Sequence, residues 1–569
     1  MAGVAASHVS HTFPLRVLAV LLLVQSTRAQ DFCSPKNISA DDAPCHGFDC
    51  LKQYCDKADA NYKWEDTGNR LHGTHPAGHN WTGYVINMTS QSWLRPEDFD
   101  FSWCGNKPVG HIWWHILVII VPSTLRDSNG TAFLYMTGGN NDGNPIPDAG
   151  SEDIKVTAYV ALETGSIGAA LFQVPNQHIV FAADPLKKHR SEDAVIAFTW
   201  QQYVADPVST ASEWPLRLPM TKAGVRALDT ISAFVAQSLP GVQPVKRFGI
   251  SGASKRGWTT WTLAAVDARV VAAMPIVMDE LNLIPNIHHH YRSYGGWSFA
   301  LADYWELNFT ACLDHPNTAA LMKIVDPYSY AERLTMPKLI INSGMDEFFL
   351  PDDTHWWWDE MPEPKRFLMV PNAEHSEATG VLELVPDAAT FLNALIATNF
   401  DAATLPNFRQ STDPASGAIT VTVEPAAKAR LKAVHLWHAT TCNGERRDFR
   451  VLNSAGWGPS GSCTPCGFGA KGICTNLRVL WNVSTLSEQT PGSGVYVGVK
   501  PPPADGRWAA FFIDVTWEQT TAAAGQGPLS SGWPVLPSGV LEWTSQVSVV
   551  PNTYPFDDCH GSGCQGKLV

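Results

Sequence analysis

Ser254, Asp346 and His375 have the residue types and the chain order from which a nucleophilic acyl-transfer site can be built. A serine hydroxyl attacks a carbonyl at neutral pH only when a neighbouring base takes its proton, and that base must itself be oriented. Ser254 lies in Gly252-Ala253-Ser254-Lys255-Arg256-Gly257, between the apolar run Arg247 to Ile250 and a run of helical character. A strand, a tight turn and a helix in direct succession are what a nucleophile elbow requires. The small residues Gly252 and Ala253 let the backbone bend, and Gly257 permits close approach of helix to strand. The elbow departs from the usual Gly-x-Ser-x-Gly at its last position, where Arg256 stands. The apolar run Lys338 to Asn342 leads into Asp346, and Arg366 to Val370 leads into His375. Serine, acid and histidine thus each follow a strand, in the order of the hydrolase fold. Asp279 is the main rival acid, because it also ends a strand, and Asp352 and Asp353 are weaker rivals. The Lys255 N–H, at a helix start, is one candidate oxyanion donor. The turn after Ala132 to Met136 offers others, the backbone N–H groups at Gly139 and Asn140 or the Asn140 amide.

These residues need a sheet to hold them at one edge, and the text supplies it. Trp113 to Val121, Ala132 to Met136, Ala169 to Gln173, Arg247 to Ile250, Val271 to Val277, Lys338 to Asn342 and Arg366 to Val370 read as strands. Asp153 to Leu162, Asp193 to Val204 and Lys222 to Gln237 read as helices, the last with Val225, Leu228, Ile231, Phe234 and Val235 at helical spacing. Such alternation implies a mainly parallel sheet covered on both faces. The expected class is α/β, an α/β-hydrolase fold over 106–405 with a lid insertion at 280–337, followed by a smaller β-sandwich over 415–550. The sandwich reading rests on Ala418 to Val423, Ala433 to Trp437, Leu477 to Val483, Gly494 to Val499, Trp508 to Trp517 and Gln546 to Val550, separated by Pro/Gly/Ser turns. Residues 30–105 form a Cys-rich extension, and 551–569 a tail ending in Cys559 and Cys564.

Composition narrows the function classes. A chain of 569 residues with 45% hydrophobic and 17% charged content folds, and its net charge of −14 argues against nucleic acid as a partner. Most of the 22 Trp residues are expected in the core. Arg16, the apolar run Val17 to Val24 and Thr27-Arg28-Ala29 read as a signal peptide over 1–29. Removing it takes away Arg16 and Arg28 and no acid, leaving −14 − 2 = −16. No stretch is long and apolar enough to span a membrane. The 12 cysteines all follow residue 30, and their even number in an oxidising compartment suggests disulfides. Asn37, Asn80, Asn87, Asn129, Asn308 and Asn482 head glycosylation sequons. The three adjacent side chains of His288-His289-His290 cannot easily converge on one ion, and neither a nicotinamide nor a phosphate-binding motif stands out. No cofactor or metal is expected.

Phe248-Gly-Ile-Ser-Gly-Ala-Ser254-Lys-Arg-Gly-Trp-Thr-Thr-Trp261 resembles the elbow of the PhoPQ-activated pathogenicity-related protein family. Asp326-Pro327, Met336-Pro337-Lys338, Asp346-Glu347-Phe348-Phe349, Pro351-Asp352 and Pro371-Asn372-Ala373-Glu374-His375 resemble it too, so that the likeness runs from about Trp81 to Val550. The resemblance implies a secreted α/β-hydrolase-like domain with a β-rich C-terminal part. Two function classes follow. The first is a secreted serine hydrolase acting on a small ester or peptide through Ser254, with His375 as base and Asp346 as its orienter. The second, which a proliferation repressor among the family's members suggests, is a non-catalytic secreted protein contacting a cell-surface receptor or glycan.

Overall fold

The computed structural model describes residues 40–74, 79–102, 109–142, 146–454, 463, 466–469, 473–518 and 539–569. The expected signal peptide and the Asn37 sequon lie outside these residues. Among them a nine-stranded sheet runs in the order β1-β2-β3-β5-β4-β6-β7-β8-β9. Its strands are β1 Lys63–Thr74, β2 Asn80–Ser92, β3 Ile112–Pro122, β4 Thr131–Met136, β5 Ile167–Leu171, β6 Arg247–Ala253, β7 Val270–Ile276, β8 Lys338–Ser343 and β9 Lys365–Val370. From β5 to β9 every neighbouring pair is parallel, while β1, β2 and β3 join antiparallel.

The parallel strands are continuous apolar runs because both of their faces are covered. Successive residues of one strand enter different cores, as the two-residue period of a strand requires. Ile340, Phe367 and Met369 join one core, and Leu339, Ile341, Leu368 and Val370 the other. The helices that cover the sheet include α1 Phe48–Asp56, α2 Glu152–Thr164, α3 Asp193–Ala205, α4 Arg217–Ser238 and α5 Lys255–Val266. They continue with α6 Leu283–Tyr294, α7 Pro316–Val325 and α8 Val381–Ala397. Trp93, Trp113, Trp261, Trp297, Trp357, Trp517 and Trp543 are all fully buried, so these indoles are packing residues.

After residue 405 the chain is strand-rich. β10 Phe408–Thr412, β11 Ile419–Val423 and β16 Val495–Gly498 form one sheet. β12 Leu431–Thr440, β15 Asn482–Thr485, β17 Ala509–Glu518, β18 Val540–Thr544 and β19 Ser548–Val550 form another, and β13 Leu452–Ser454 pairs with β14 Ile473–Thr475. Ile419, Val421, Phe511, Ile513 and Trp543 share a core with α8 and the β8–β9 edge. The strand expected over Leu477 to Val483 is instead a 3-10 turn at Leu477–Val479, and the strand begins at Asn482. The Asn476 side chain accepts the Arg478 N–H and so closes that turn.

Four disulfides pair Cys45 with Cys50, Cys442 with Cys466, Cys463 with Cys474, and Cys559 with Cys564. Cys312 is also disulfide-bonded. Cys55 is a free thiol buried beneath α4, where burial first of all pushes it up to about 12. It is inert at neutral pH. Asn80, Asn87, Asn129 and Asn482 are exposed, and Asn308 is half-buried.

Candidate active site

The elbow forms where β6 ends and α5 begins. Ser254, at φ 57° and ψ −125°, occupies backbone space that a residue with a side chain rarely enters, at a cost of ~1–3 kcal/mol. Two glycines make the turn fit. A Cβ on Gly252 would stand 2.8 Å from the Arg256 Cβ, and one on Gly257 would stand 2.7 Å from the Ile276 carbonyl oxygen on β7. The Ser254 N–H donates to that same carbonyl at 2.9 Å, locking the elbow to the neighbouring strand. Gly257→Ala therefore pushes α5 off β7. The expected cost is about 1–3 kcal/mol, read as a lowered thermal midpoint.

His375 Nε2 lies 2.8 Å from Ser254 Oγ, and His375 Nδ1 lies 2.8 Å and 3.0 Å from the two carboxylate oxygens of Asp346. Asp346 Oδ1 also accepts the N–H groups of Phe348 at 2.6 Å and Phe349 at 3.2 Å, which fix the carboxylate. Burial acts to lower the His375 pKa, but the Asp346 carboxylate outweighs it and holds the imidazole above the ordinary histidine range. The rings of Phe348 and Phe349 lie 4.3 Å and 5.5 Å from the imidazole, centre to centre. Glu347 accepts the His375 N–H at 3.2 Å, and burial, with the adjacent Asp346 charge second, raises it to about 7.

Asp279, the rival acid, is buried with neither carboxylate oxygen hydrogen-bonded, and burial raises its pKa. It does not orient His375. Asp352 pairs with Arg447 and His289 instead, and Asp353 Oδ2 accepts the Leu350 N–H. The His288-His289-His290 run separates onto different partners: His288 onto Asp314 and Asp558, His289 onto Asp352 and Tyr554, and His290 onto the Ser298 N–H.

Lys255 opens α5, which puts its N–H at a helix N-terminus beside Ser254. The parallel register pairs Met136 with Gly252, so the Thr137-to-Asn140 turn lies alongside the elbow. Gly139 there adopts φ 116°. The Asn140 amide oxygen accepts from Gln177 Nε2 at 3.1 Å, so the side chain is engaged in holding the turn.

Arg256 explains the departure from the common elbow. Its guanidinium lies against Gly138, where a Cβ would come within 2.6 Å of Nη2, and it pairs with Glu192 at 2.6 Å. Gln177 Nε2 reaches the Gly139 carbonyl, the Asn140 amide and the Glu192 carboxylate together. Glu192 also pairs with Lys255 at 3.1 Å, and Lys255 with Asp193 at 2.9 Å. Burial alone would raise the Glu192 pKa, but Arg256 and Lys255 hold it at about 2. Arg256 thus joins the elbow to the Gly138–Asn140 turn, a positioning role that spacing along the chain does not reveal. Glu192, Gln177 and Glu347 carry no sequence signal either, because each acts through a contact made only in the fold.

A strand-elbow-helix at the edge of a largely parallel sheet, with acid and histidine on the loops after β8 and β9, defines an α/β-hydrolase-type protein. The chain belongs to the PhoPQ-activated pathogenicity-related protein family, whose model matches residues 51–450. It is 34% identical over 525 residues to autocrine proliferation repressor protein A of Dictyostelium discoideum, covering 91% of this chain and 94% of that protein. Among solved structures it is similar to an acetyl xylan esterase from Paenibacillus sp. R4, at 14% identity and a TM-score of 0.38, over 63% of this chain and 98% of that one. A puromycin-hydrolyzing peptidase of Mycobacterium tuberculosis is similar at 13% identity and a TM-score of 0.31, over 56% of this chain and 46% of that one.

Proposed function

We propose that the chain is a secreted serine hydrolase that cleaves a small ester or peptide through an acyl-enzyme on Ser254. The observation that carries this reading is His375, which bridges Ser254 Oγ and the Asp346 carboxylate at 2.8 Å on each side. Ser254 Oγ attacks the carbonyl carbon as His375 Nε2 takes its proton, and Asp346 stabilises the imidazolium that forms. The bond to the leaving group breaks as His375 returns that proton to it. Water, deprotonated by the same nitrogen, then releases the acid and restores Ser254. The Lys255 N–H and the Gly139–Asn140 turn serve as oxyanion donors.

In this reading residues 280–337 act as a lid over the site, 415–550 as a β-sandwich and 551–569 as a tail fastened across the lid. Trp297 of the lid exchanges backbone hydrogen bonds with Lys567 and Val569, which supports the last assignment. The signal peptide over 1–29, the disulfides and the exposed sequons support secretion as a glycoprotein. No helix among the described residues is long and apolar enough to cross a membrane.

The experiment is a stopped-flow reaction with p-nitrophenyl acetate. A burst of p-nitrophenol approaching one equivalent supports the acyl-enzyme, and a folded, secreted protein with no turnover overturns it. His375 works as a base only when neutral, and its pKa is raised, so kcat/KM is expected to rise with pH through a limb above about 6.5. A pH–rate profile checks this.

A second reading is favoured by the repressor relative: a secreted signalling protein that contacts a cell-surface receptor or glycan. If Ser254→Ala retains an effect on cell proliferation, signalling is separable from hydrolysis.

A further inference from the structure

A cavity of about 60 Å³ opens beside Ser254 and Lys255, walled largely by residues of 280–337 and by α3, α4 and α5. Its lining is aromatic and aliphatic, with Trp258, Trp297 and Phe349 among the walls. Four of the lining residues each carry a polar atom that is buried and has no hydrogen-bond partner: Trp200 Nε1, Arg217 Nε, Glu280 Oε1 and Thr310 Oγ1. Each of the four residues is at most 5% exposed. A buried polar atom left unpaired costs about 1–3 kcal/mol, so four around one cavity mark a place where something else supplies the partners.

The character of those atoms says what the partner offers. Trp200 and Arg217 only donate, and Thr310 can donate. Lys255 is paired with Glu192 and Asp193, and Arg256 with Glu192, whereas Arg217 has no carboxylate partner among the described residues. It stacks over Trp258 at 4.0 Å and donates from Nη1 to the Lys255 carbonyl. Burial lowers it to about 10, which leaves it charged at neutral pH. Glu280 is raised well above the carboxylate range, by burial first and then by Asp279 and Asp346. Three donor-bearing residues, one of them a guanidinium without a carboxylate hydrogen bond, belong to the lining of the space.

The volume sets the size. At ~10–15 Å³ for each water-sized group, 60 Å³ holds about four to six non-hydrogen atoms. We propose, resting on the hydrolase reading above, that this cavity is the acyl subsite, and that it selects a short acyl group carrying a hydrogen-bond-accepting oxygen. The group remains attached to Ser254 in the acyl-enzyme while its oxygen meets Arg217 and Trp200.

The test holds the leaving group constant and varies the acyl part: p-nitrophenyl pentanoate, 3-methoxypropionate and octanoate, each rate divided by that ester's alkaline hydrolysis rate. The methoxypropionate chain is the pentanoate chain with one methylene replaced by oxygen. Its normalised kcat/KM is expected to exceed that of pentanoate by about tenfold or more, and octanoate to fall at least tenfold below pentanoate. Arg217→Lys and Trp200→Phe should each reduce the methoxypropionate-to-pentanoate ratio at least threefold. A ratio within one preparation is unaffected by any misfolded fraction. Equal normalised rates for the matched pair, or octanoate turned over as well as pentanoate, would overturn the subsite. A flat ester series with fluorophosphonate labelling of Ser254 intact removes this proposal alone. Loss of that labelling removes the hydrolase reading as well.

Discussion

Replacing Ser254 with alanine is expected to lower kcat for p-nitrophenyl acetate by about 10^4- to 10^6-fold, with the fold and secretion intact. The size follows from the chemistry, since no acyl-enzyme forms without the hydroxyl, and only oxyanion stabilisation and binding remain to accelerate attack by water. The backbone should tolerate the change. At φ 57° the strain belongs to any residue with a Cβ, and alanine bears it as serine does. The elbow is held by the Ser254 N–H bond to Ile276 and by Gly252 and Gly257, none of which the substitution touches. Thermal denaturation of the variant alongside its kinetics separates loss of chemistry from loss of structure.

Asp346→Asn is expected to cost about 10^4-fold in kcat. An amide at this position presents an N–H₂ group toward His375 Nδ1 and so favours the tautomer that carries its proton on Nε2, where it can no longer accept from Ser254. The same substitution removes the charge that holds the imidazole pKa up and leaves burial to lower it. The ascending limb of the pH–rate profile is therefore expected to move to lower pH while the plateau falls. A limb that stays in place would assign the orienting role to another acid. Asp279 is the poorest substitute, because its oxygens reach no partner at all.

The elbow was readable from sequence because its requirements are local: small residues before the serine, a glycine three residues after it, an apolar strand ahead and a helix behind. The loops that place Asp346 and His375 were readable for a related reason. A strand buried on both faces is an unbroken apolar run, so its end is easy to see in Lys338 to Asn342 and Arg366 to Val370. β1 and β2 are different. Their pairing shifts register between Asp66 and Arg70, which breaks the alternation that marks a half-buried strand. The helix Val381–Ala397 was hidden by Pro386 in its interior and by burial on nearly every side, which leaves no polar face to mark a helical period. Connectivity of Cys442, Cys463, Cys466 and Cys474 could not be read from spacing, and the observed pairs interleave along the chain. Arg256 shows the limit most clearly. As text it is a flaw in the elbow, and only the distant Glu192 and Gly138 make it the strut between the elbow and the neighbouring turn.

Active-site labelling tests the central claim most directly. The secreted chain is treated with a fluorophosphonate probe and digested, and the modified residue is located by mass spectrometry. A single adduct on Ser254 is expected, abolished in Ser254→Ala and slowed in Asp346→Asn. An unlabelled Ser254 in a folded protein, or an adduct elsewhere that persists in Ser254→Ala, would contradict its role as the nucleophile.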